Sequence, residues 1–405
     1  MLKSIKNVEI VNKKVLLRLD LNVPIHDKKI QSDFRIKKSI PTILYLLSKN
    51  NKVIILSHLG RPEEGKSTPG LSLKKISEHL SNLLNHKVKF IENWVDGFDI
   101  ENENIIMCEN VRFQIGEKEN SAALSKKIAS LGDVYVFDAF GVAHRKEAST
   151  FGITEFLDSY AGLLIEEEIS ATNKMIHYLK SPSPNNTQSL VAIISGAKVS
   201  TKLKLINSLI SKDKTLHADV VLLGGGILNT FLAAMGYCIG LSLHEKSFVH
   251  EAKKIIENSY FNEHVLLPID VVCSDRMDFS NPQNKHISMI QSKDRILDIG
   301  EATIKKYVEF IEVAHPLFWN GPLGYIEKPP YDQGTINVAK AIDAVSKKNE
   351  EPIENRFSIV GGGETISIIE KLGIQDKISW LSTGGGSLLK HIVGDELPIL
   401  KKLGT

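Results

Sequence analysis

Three apolar runs in this chain end in glycine triplets. "VVLLGGGILNTF" reaches Gly224, Gly225 and Gly226, "FSIVGGGETIS" reaches Gly361, Gly362 and Gly363, and "ISWLSTGGGSLL" reaches Gly384, Gly385 and Gly386. Each triplet stands between a strand-like run and a stretch with helical spacing. In parallel α/β sheets that junction lies beyond the carboxyl ends of the strands, where ligands bind. A helix begins there with unpaired N–H groups and a partial positive charge. Glycine lets a bulky anion approach that main chain closely. One triplet is an ordinary tight turn; three in one half of a chain point to a polyphosphate site. "SGAKVSTKL" adds a fourth junction after "LVAII". There Lys198 and Lys202, four apart, are expected to share a helix face beside Gly196 and Ala197.

The same alternation runs through the whole sequence. "KKVLLRLDL", "KVIILS", "NIIMCEN" and "VYVFDAF" read as strands in the first half. "LVAIIS", "VVLLGGG", "HVLLPIDVV", "PLFWNG" and "FSIVGGG" do so in the second. Near-continuous apolar runs predict strands buried on both faces, as in parallel sheets. "SLKKISEHLSNLLN" and "HEAKKIIENSY" carry helical spacing between them. The fold class is therefore α/β, with two similar-sized domains, each a mainly parallel sheet flanked by helices. The domains are expected to meet near residues 160–190. A joining helix there uses Ile165, Ile169, Met175, Ile176 and Leu179, and "KSPSPNNTQS" from Lys180 to Ser189 reads as a linker.

Bulk properties exclude several classes. The 405 residues suit two domains. A formal net charge of +2 gives no broad surface for nucleic acid, so an anion site must come from local arrangement. Cys108, Cys238 and Cys273 are odd in number and far apart, as expected in a reducing compartment. No signal-peptide block opens the chain, and no apolar run approaches the roughly 18 residues of a membrane span. These features read as a soluble cytoplasmic protein.

Of 50 lysines and arginines only eight are arginine, and five of these precede residue 150: Arg18, Arg35, Arg61, Arg112 and Arg145. They stand in "LRLDLNVP", "SDFRI", "SHLGRP", "ENVRF" and "AHRKEAST", with His58 and His144 beside two of them. A guanidinium grips a carboxylate or phosphate at two points where an ammonium cannot. The first domain thus reads as a pocket for a small, doubly charged anion. "GRPEEGKS", from Gly60 to Ser67, matches the P-loop pattern by letters. A P-loop needs a helix starting at its Lys-Ser, and Pro69 and Gly70 oppose one; the next helix is expected near Ser72. "HEKSFVH" spaces its histidines six apart, not four as a zinc-binding HExxH requires. No triplet has the G-x-G-x-x-G spacing of a dinucleotide fold.

In order along the chain, "RLDLNVP", "SHLGRP", "ENVRF", "DAFGVAHR", "GAKVSTKL", "GGGILNTF", "LPIDVV", "WNGPLGYIE", "GGGET" and "STGGG" resemble the phosphoglycerate kinase family. The resemblance implies a first domain over 1–165 for 3-phosphoglycerate or 1,3-bisphosphoglycerate. It implies a hinge helix and linker over 166–185, a domain over 186–385 for magnesium ADP or ATP, and a tail over 386–405 returning to the first domain. Asp20 and Asn22 would contact the glycerate. Arg35, His58, Arg61, Arg112 and Arg145 would form the basic pocket, with Arg18 a less certain member. Lys198 and Arg35 would stabilise the phosphoryl group in flight, with the N–H groups of Gly384 and Gly385. Lys202, Gly196, Ala197, Gly224, Asn320, Glu327, Gly361, Gly362, Gly363 and Thr365 would line the nucleotide, and Glu364 would help hold Mg2+. The implied enzyme is a cytoplasmic monomer with no nucleic-acid or membrane partner. Four positions depart from the family pattern: Glu364 for aspartate, Lys390 for glutamate, Ser195 for glycine and Glu301 for proline.

Overall fold

The strand "KVLLRL" has five buried residues in succession, which only a sheet covered on both faces allows. In the computed structural model, which describes residues 2–27, 29–100, 102–180, 189–211, 216–348 and 356–404, that strand is Lys14–Leu19. It pairs in parallel with Lys52–Leu56 on one side and Val134–Asp138 on the other. The six-stranded sheet continues outward through Ile105–Cys108 to Lys89–Ile91, and through Val134–Asp138 to Ser159–Ala161, all parallel. Its central strand lies between one formed later and one formed much later in the chain. That order creates a switch point at the carboxyl end of Lys14–Leu19. The helices Phe34–Ser48 and Lys74–Leu84 turn Ile36, Ile43, Leu46, Ile76 and Leu80 inward to complete the core.

Compactness divides the chain into one unit of Met1–Ser170 with Asp395–Thr405 and a second of Ala171–Gly394. The closing segment is tied to the first unit by Lys3 N–H, which donates to the Leu403 carbonyl at 2.8 Å. The helix Gly386–Ile392 belongs to the second unit. The helix Leu163–Lys180 runs through the division, with Ile165, Met175 and Leu179 buried and Ile169 and Ile176 only partly so. Most of the expected linker, 181–188, lies outside the described residues.

The second unit holds another six-stranded parallel sheet. Its order is Val265–Leu266, Val220–Leu223, Ser189–Ile194, Ala314–Asn320, Ser358–Gly361, Trp380–Ser382. "HVLLPIDVV", expected as one strand, is two. Val265–Leu266 edges this sheet, while Asp270–Ser274 pairs antiparallel with Gln283–His286 and Arg295–Ile299 in a separate small sheet. Pro268 stands at the break, where it cannot donate to a ladder. Among the described residues no helix is long and apolar enough to cross a membrane.

Candidate functional site

Each predicted anion-binding residue of the first unit follows a strand or opens the first helix. Asp20 and Asn22 follow Lys14–Leu19, His58 and Arg61 follow Lys52–Leu56, Arg112 follows Ile105–Cys108, and Arg145 follows Val134–Asp138. Arg35 is the second residue of the helix Phe34–Ser48. It donates to Asp20 Oδ2 at 3.0 Å and to the Asn22 carbonyl at 3.1 Å. Asn22 Oδ1 accepts from Gly60 N–H at 2.9 Å, and the Gly60 carbonyl accepts from Arg112 Nη1 at 2.7 Å. One turn thus links four of the predicted residues. Arg61, the next residue, is exposed and has no hydrogen-bonding partner among the described residues.

Arg18 lies inside its strand, fully buried, and its fork points into protein. It donates to Ser149 Oγ at 3.0 Å, to the Leu19 carbonyl, and to His58 Nδ1 at 3.3 Å. A guanidinium only donates, so Nδ1 accepts and the neutral imidazole carries its proton on Nε2. That nitrogen lies 3.9 Å from Asp20 Oδ1. Burial holds the His58 pKa well below the usual imidazole value, and Arg18, Arg112, Arg35 and Arg145 push it the same way. His58 is therefore a neutral donor in a cationic pocket. Burial also lowers the Arg112 pKa, opposed by Glu147.

The counter-charges were not foreseen from the sequence. Glu147 accepts from both Arg112 and Arg145, at 3.2 and 3.1 Å. Glu117 accepts from the Ser149 hydroxyl at 2.5 Å and from Ser149 N–H at 3.0 Å, and burial pushes it up to about 7 against the pull of Arg18. Buried carboxylates of this kind carry no sequence signature beyond proximity to an arginine, as Glu147 has with Arg145.

In the second unit the glycine junctions meet. Gly225 N–H donates to the Leu323 carbonyl at 2.9 Å, and Ile227 N–H to the Gly196 carbonyl at 3.1 Å. Gly225 has φ +57°, and a Cβ there would stand 2.6 Å from Gly196 N. The helices Gly225–Ala234, Gly363–Leu372 and Gly386–Ile392 start at the three triplets, as the sequence predicts. Lys198 and Lys202 do not share a helix face. The helix is Ser200–Leu209, so Lys198 stays in the exposed turn while Lys202 is buried. Lys202 Nζ donates to the Ser195 carbonyl; burial brings its pKa down to about 8, with Glu364 opposing and Lys198 reinforcing. Glu364 is shifted upward by partial burial and by Glu327, against Lys202 and Lys198. Gly384 N–H already donates to Ser382 Oγ at 3.0 Å, while the N–H groups of Gly385 and Gly386 have no partner among the described residues.

A cleft of about 380 Å³ opens beside these turns. Gly196, Ala197, Glu327 and Glu364 line it, as expected. Its apolar wall, with Leu228, Leu243, Phe279, Ile296, Leu323 and Tyr325, was not expected, because those residues come from five separate segments. Asn320 Nδ2 and Thr365 Oγ1 are buried without a partner among the described residues, and a Cβ on Gly361 would lie 3.1 Å from that Nδ2. Orphaned polar atoms beside bare main chain fit a polar ligand. The described residues hold no group of three His, Cys, Asp or Glu able to bind a metal by themselves. A single carboxylate, Glu364, completed by phosphate oxygens is a donor set that suits Mg2+.

The family departures are accommodated locally. Ser195 Oγ donates to the Pro322 carbonyl at 2.6 Å, stapling two turns. Glu301 opens the helix Glu301–Glu312, where either an acid or a proline is favourable. Lys390 lies in the last turn of Gly386–Ile392, where a cation is favourable. The expected P-loop failure is visible too: no helix starts at Lys66 or Ser67, and the next α-helix is Lys74–Leu84.

A sequence profile of the phosphoglycerate kinase family matches residues 5–395. A phosphoglycerate kinase of Francisella tularensis subsp. holarctica is 41% identical over 403 residues, 99% of this chain and 97% of its own. One from Legionella pneumophila is 41% identical over 398 residues, 98% of this chain and 95% of its own. Among solved structures, phosphoglycerate kinase from Coxiella burnetii is 39% identical with a TM-score of 0.75, covering 100% of this chain and 99% of its own. The enzyme from Pyrococcus horikoshii OT3 is 30% identical with a TM-score of 0.81, covering 99% and 98%.

Proposed function

The chain belongs to the phosphoglycerate kinase family, and from that premise we propose which residues carry each part of the reaction. The enzyme transfers a phosphoryl group reversibly between 1,3-bisphosphoglycerate and ADP, giving 3-phosphoglycerate and ATP in glycolysis. The acyl phosphate leaves as a carboxylate and the acceptor is an ionised phosphate oxygen. No general base and no covalent enzyme intermediate is needed. Catalysis then rests on alignment and on neutralising charge on the transferring group.

The phosphoglycerate site is assigned to Asp20, Asn22, Arg35, His58, Arg61, Arg112 and Arg145. Arg18 acts through His58, since its guanidinium is fully buried and turned toward Ser149, Leu19 and His58 itself. The nucleotide site is assigned to Gly196, Ala197, Lys202, Gly224, Asn320, Glu327, Gly361, Gly362, Gly363, Glu364 and Thr365. Lys198 and Arg35 meet the charge in flight. Gly385 offers a free N–H, and Gly384 joins it by releasing Ser382. Glu364 and the nucleotide phosphates would hold Mg2+, which supplies charge neutralisation when bound. Each ligand is assigned to its own unit, so transfer requires a hinge closure that brings them together and excludes water. The remaining assignment is a cytoplasmic monomer with small-molecule ligands only; a formal charge of +2 is in keeping with it.

The observation that carries this reading is the convergence of four guanidiniums on a neutral imidazole, with Arg18 and Arg112 buried and Arg35 and Arg145 partly open to solvent. Asp20 and Glu147 offset part of that positive charge, and the partly exposed Arg35 and Arg145 leave donors for a small anion. A coupled assay of ATP-dependent phosphorylation of 3-phosphoglycerate tests it. Arg35→Lys and Arg145→Lys should each raise KM for 3-phosphoglycerate or lower kcat; wild-type kinetics in both would overturn the assignment.

A further inference from the structure

The turn that carries Arg145 also places a carboxylate among the guanidiniums. Glu147 is 4% exposed. Its Oε1 accepts from Arg112 Nη2 at 3.2 Å and from Arg145 Nη1 at 3.1 Å. Its Oε2 and the Nε of both arginines are buried without partners among the described residues. A single oxygen therefore ties the two guanidiniums together. The backbone at that residue is held tightly. The Glu147 carbonyl accepts from the N–H groups of Thr150, Phe151 and Gly152 at 3.1, 2.8 and 3.2 Å, and Glu147 N–H donates to Thr150 Oγ1 at 3.1 Å. The turn thus fixes the backbone from which the carboxylate reaches both arginines.

Both partners of Oε1 are guanidiniums, which only donate. What Glu147 controls is geometry. Two guanidiniums converging on one small anion site repel each other, and an anion fixed between them sets their separation. Arg112 is also tethered to the Gly60 carbonyl at 2.7 Å. With Glu147 in place, both ends of that fork are fixed before ligand arrives. We propose that Glu147 is a positioning residue, which spaces Arg112 and Arg145 and so determines how tightly the pocket grips 3-phosphoglycerate. The inference rests on the assignment of those two arginines to the phosphoglycerate site.

The test is steady-state kinetics on the full chain with both substrates varied. Glu147→Ala should raise KM for 3-phosphoglycerate about tenfold or more, while KM for ATP and kcat stay within about twofold. Glu147→Gln keeps an oxygen acceptor in the same place and should return that KM to within about threefold of wild type. Loss of fold alone would move both KM values together or neither. The inference is overturned if Glu147→Ala, folded by circular dichroism, keeps the wild-type KM for 3-phosphoglycerate. It is equally overturned if Glu147→Gln is as impaired as Glu147→Ala. Should Glu147→Ala not fold, Glu147→Asp replaces it: the shorter carboxylate cannot bridge both guanidiniums and should raise the same KM alone, and a wild-type value overturns the inference. Arg112→Lys and Arg145→Lys, run in parallel, separate the two failures. If they raise KM and the Glu147 variants do not, only the positioning role falls; if they too are silent, the ligand assignment falls with it.

Discussion

Two single-methyl additions in the nucleotide half should have opposite effects, and the structure gives the size of each. Gly225 has φ +57°, and a Cβ there would lie 2.6 Å from Gly196 N and 2.9 Å from Gly196 Cα. Those atoms are main chain and cannot swing away. Gly225→Ala therefore combines left-handed strain of about 1–2 kcal/mol with overpacking of about 1–3 kcal/mol, roughly 2–5 kcal/mol in all. For a unit running from Ala171 to Gly394, at about 2–4 °C per kcal/mol, its Tm should fall by about 4–20 °C. Gly363 opens its helix with nothing within 4 Å of an added Cβ. Gly363→Ala should melt with the wild type. If phosphate oxygens rest on that main chain, the methyl occupies their place. Losing one hydrogen bond to a charged group, about 1.5–3 kcal/mol, raises KM for ATP about 10- to 150-fold. Calorimetric melting and ATP-varied kinetics on both variants read the contrast. A wild-type Tm for Gly225→Ala, or a wild-type KM for Gly363→Ala, would refute the claim that these triplets exist for close main-chain approach.

Three further outcomes are expected. Lys202, with its pKa brought down to about 8 by burial, should regain its proton when phosphates bind. Calorimetry at pH 8.5 in buffers of different ionisation heat should show proton uptake with ADP, absent in Lys202→Met; no uptake in the wild type would contradict the assignment. His58 is neutral in the folded state, its pKa well below 6.5. The unfolded chain takes up a proton there as pH falls through about 6.5, so folding stability should decline in that direction and less so in His58→Gln; equal denaturation midpoints for both proteins from pH 7 to 5 would count against it. Glu364→Asp keeps the charge and should change apparent Mg2+ affinity only about two- to threefold, read by metal titration of the coupled assay; a large gain in turnover would mean that Glu364 impairs the site.

What was legible in the sequence was whatever declares itself locally. The apolar runs "VLLRL" and "LVAII" could be little else than double-covered strands, and arginine is scarce enough that the five before residue 150 stood out. Lys202 was harder, because lysine is abundant and spacing placed it beside Lys198; only the helix start at Ser200 shows that one is buried and the other is not. The antiparallel sheet was missed because Gln283–His286 alternates between partly buried and exposed polar residues, without an apolar run. Glu147 was missed because its role depends on Arg112, 35 residues away in the chain. The cleft wall was missed for the same reason: Leu228, Phe279, Ile296 and Leu323 become neighbours only in the fold.

The central claim is that a guanidinium pocket and a set of bare glycine turns, on different units of one chain, hold the two partners of a single phosphoryl transfer. Diffraction from crystals of the full chain with 3-phosphoglycerate and magnesium ADP tests it directly. The account predicts 3-phosphoglycerate against Arg35, Arg112 and Arg145, and nucleotide phosphates against Gly196, Lys202 and the triplet Gly361–Gly363. Both ligands on the same unit, or a phosphoglycerate that touches none of those arginines, would contradict it.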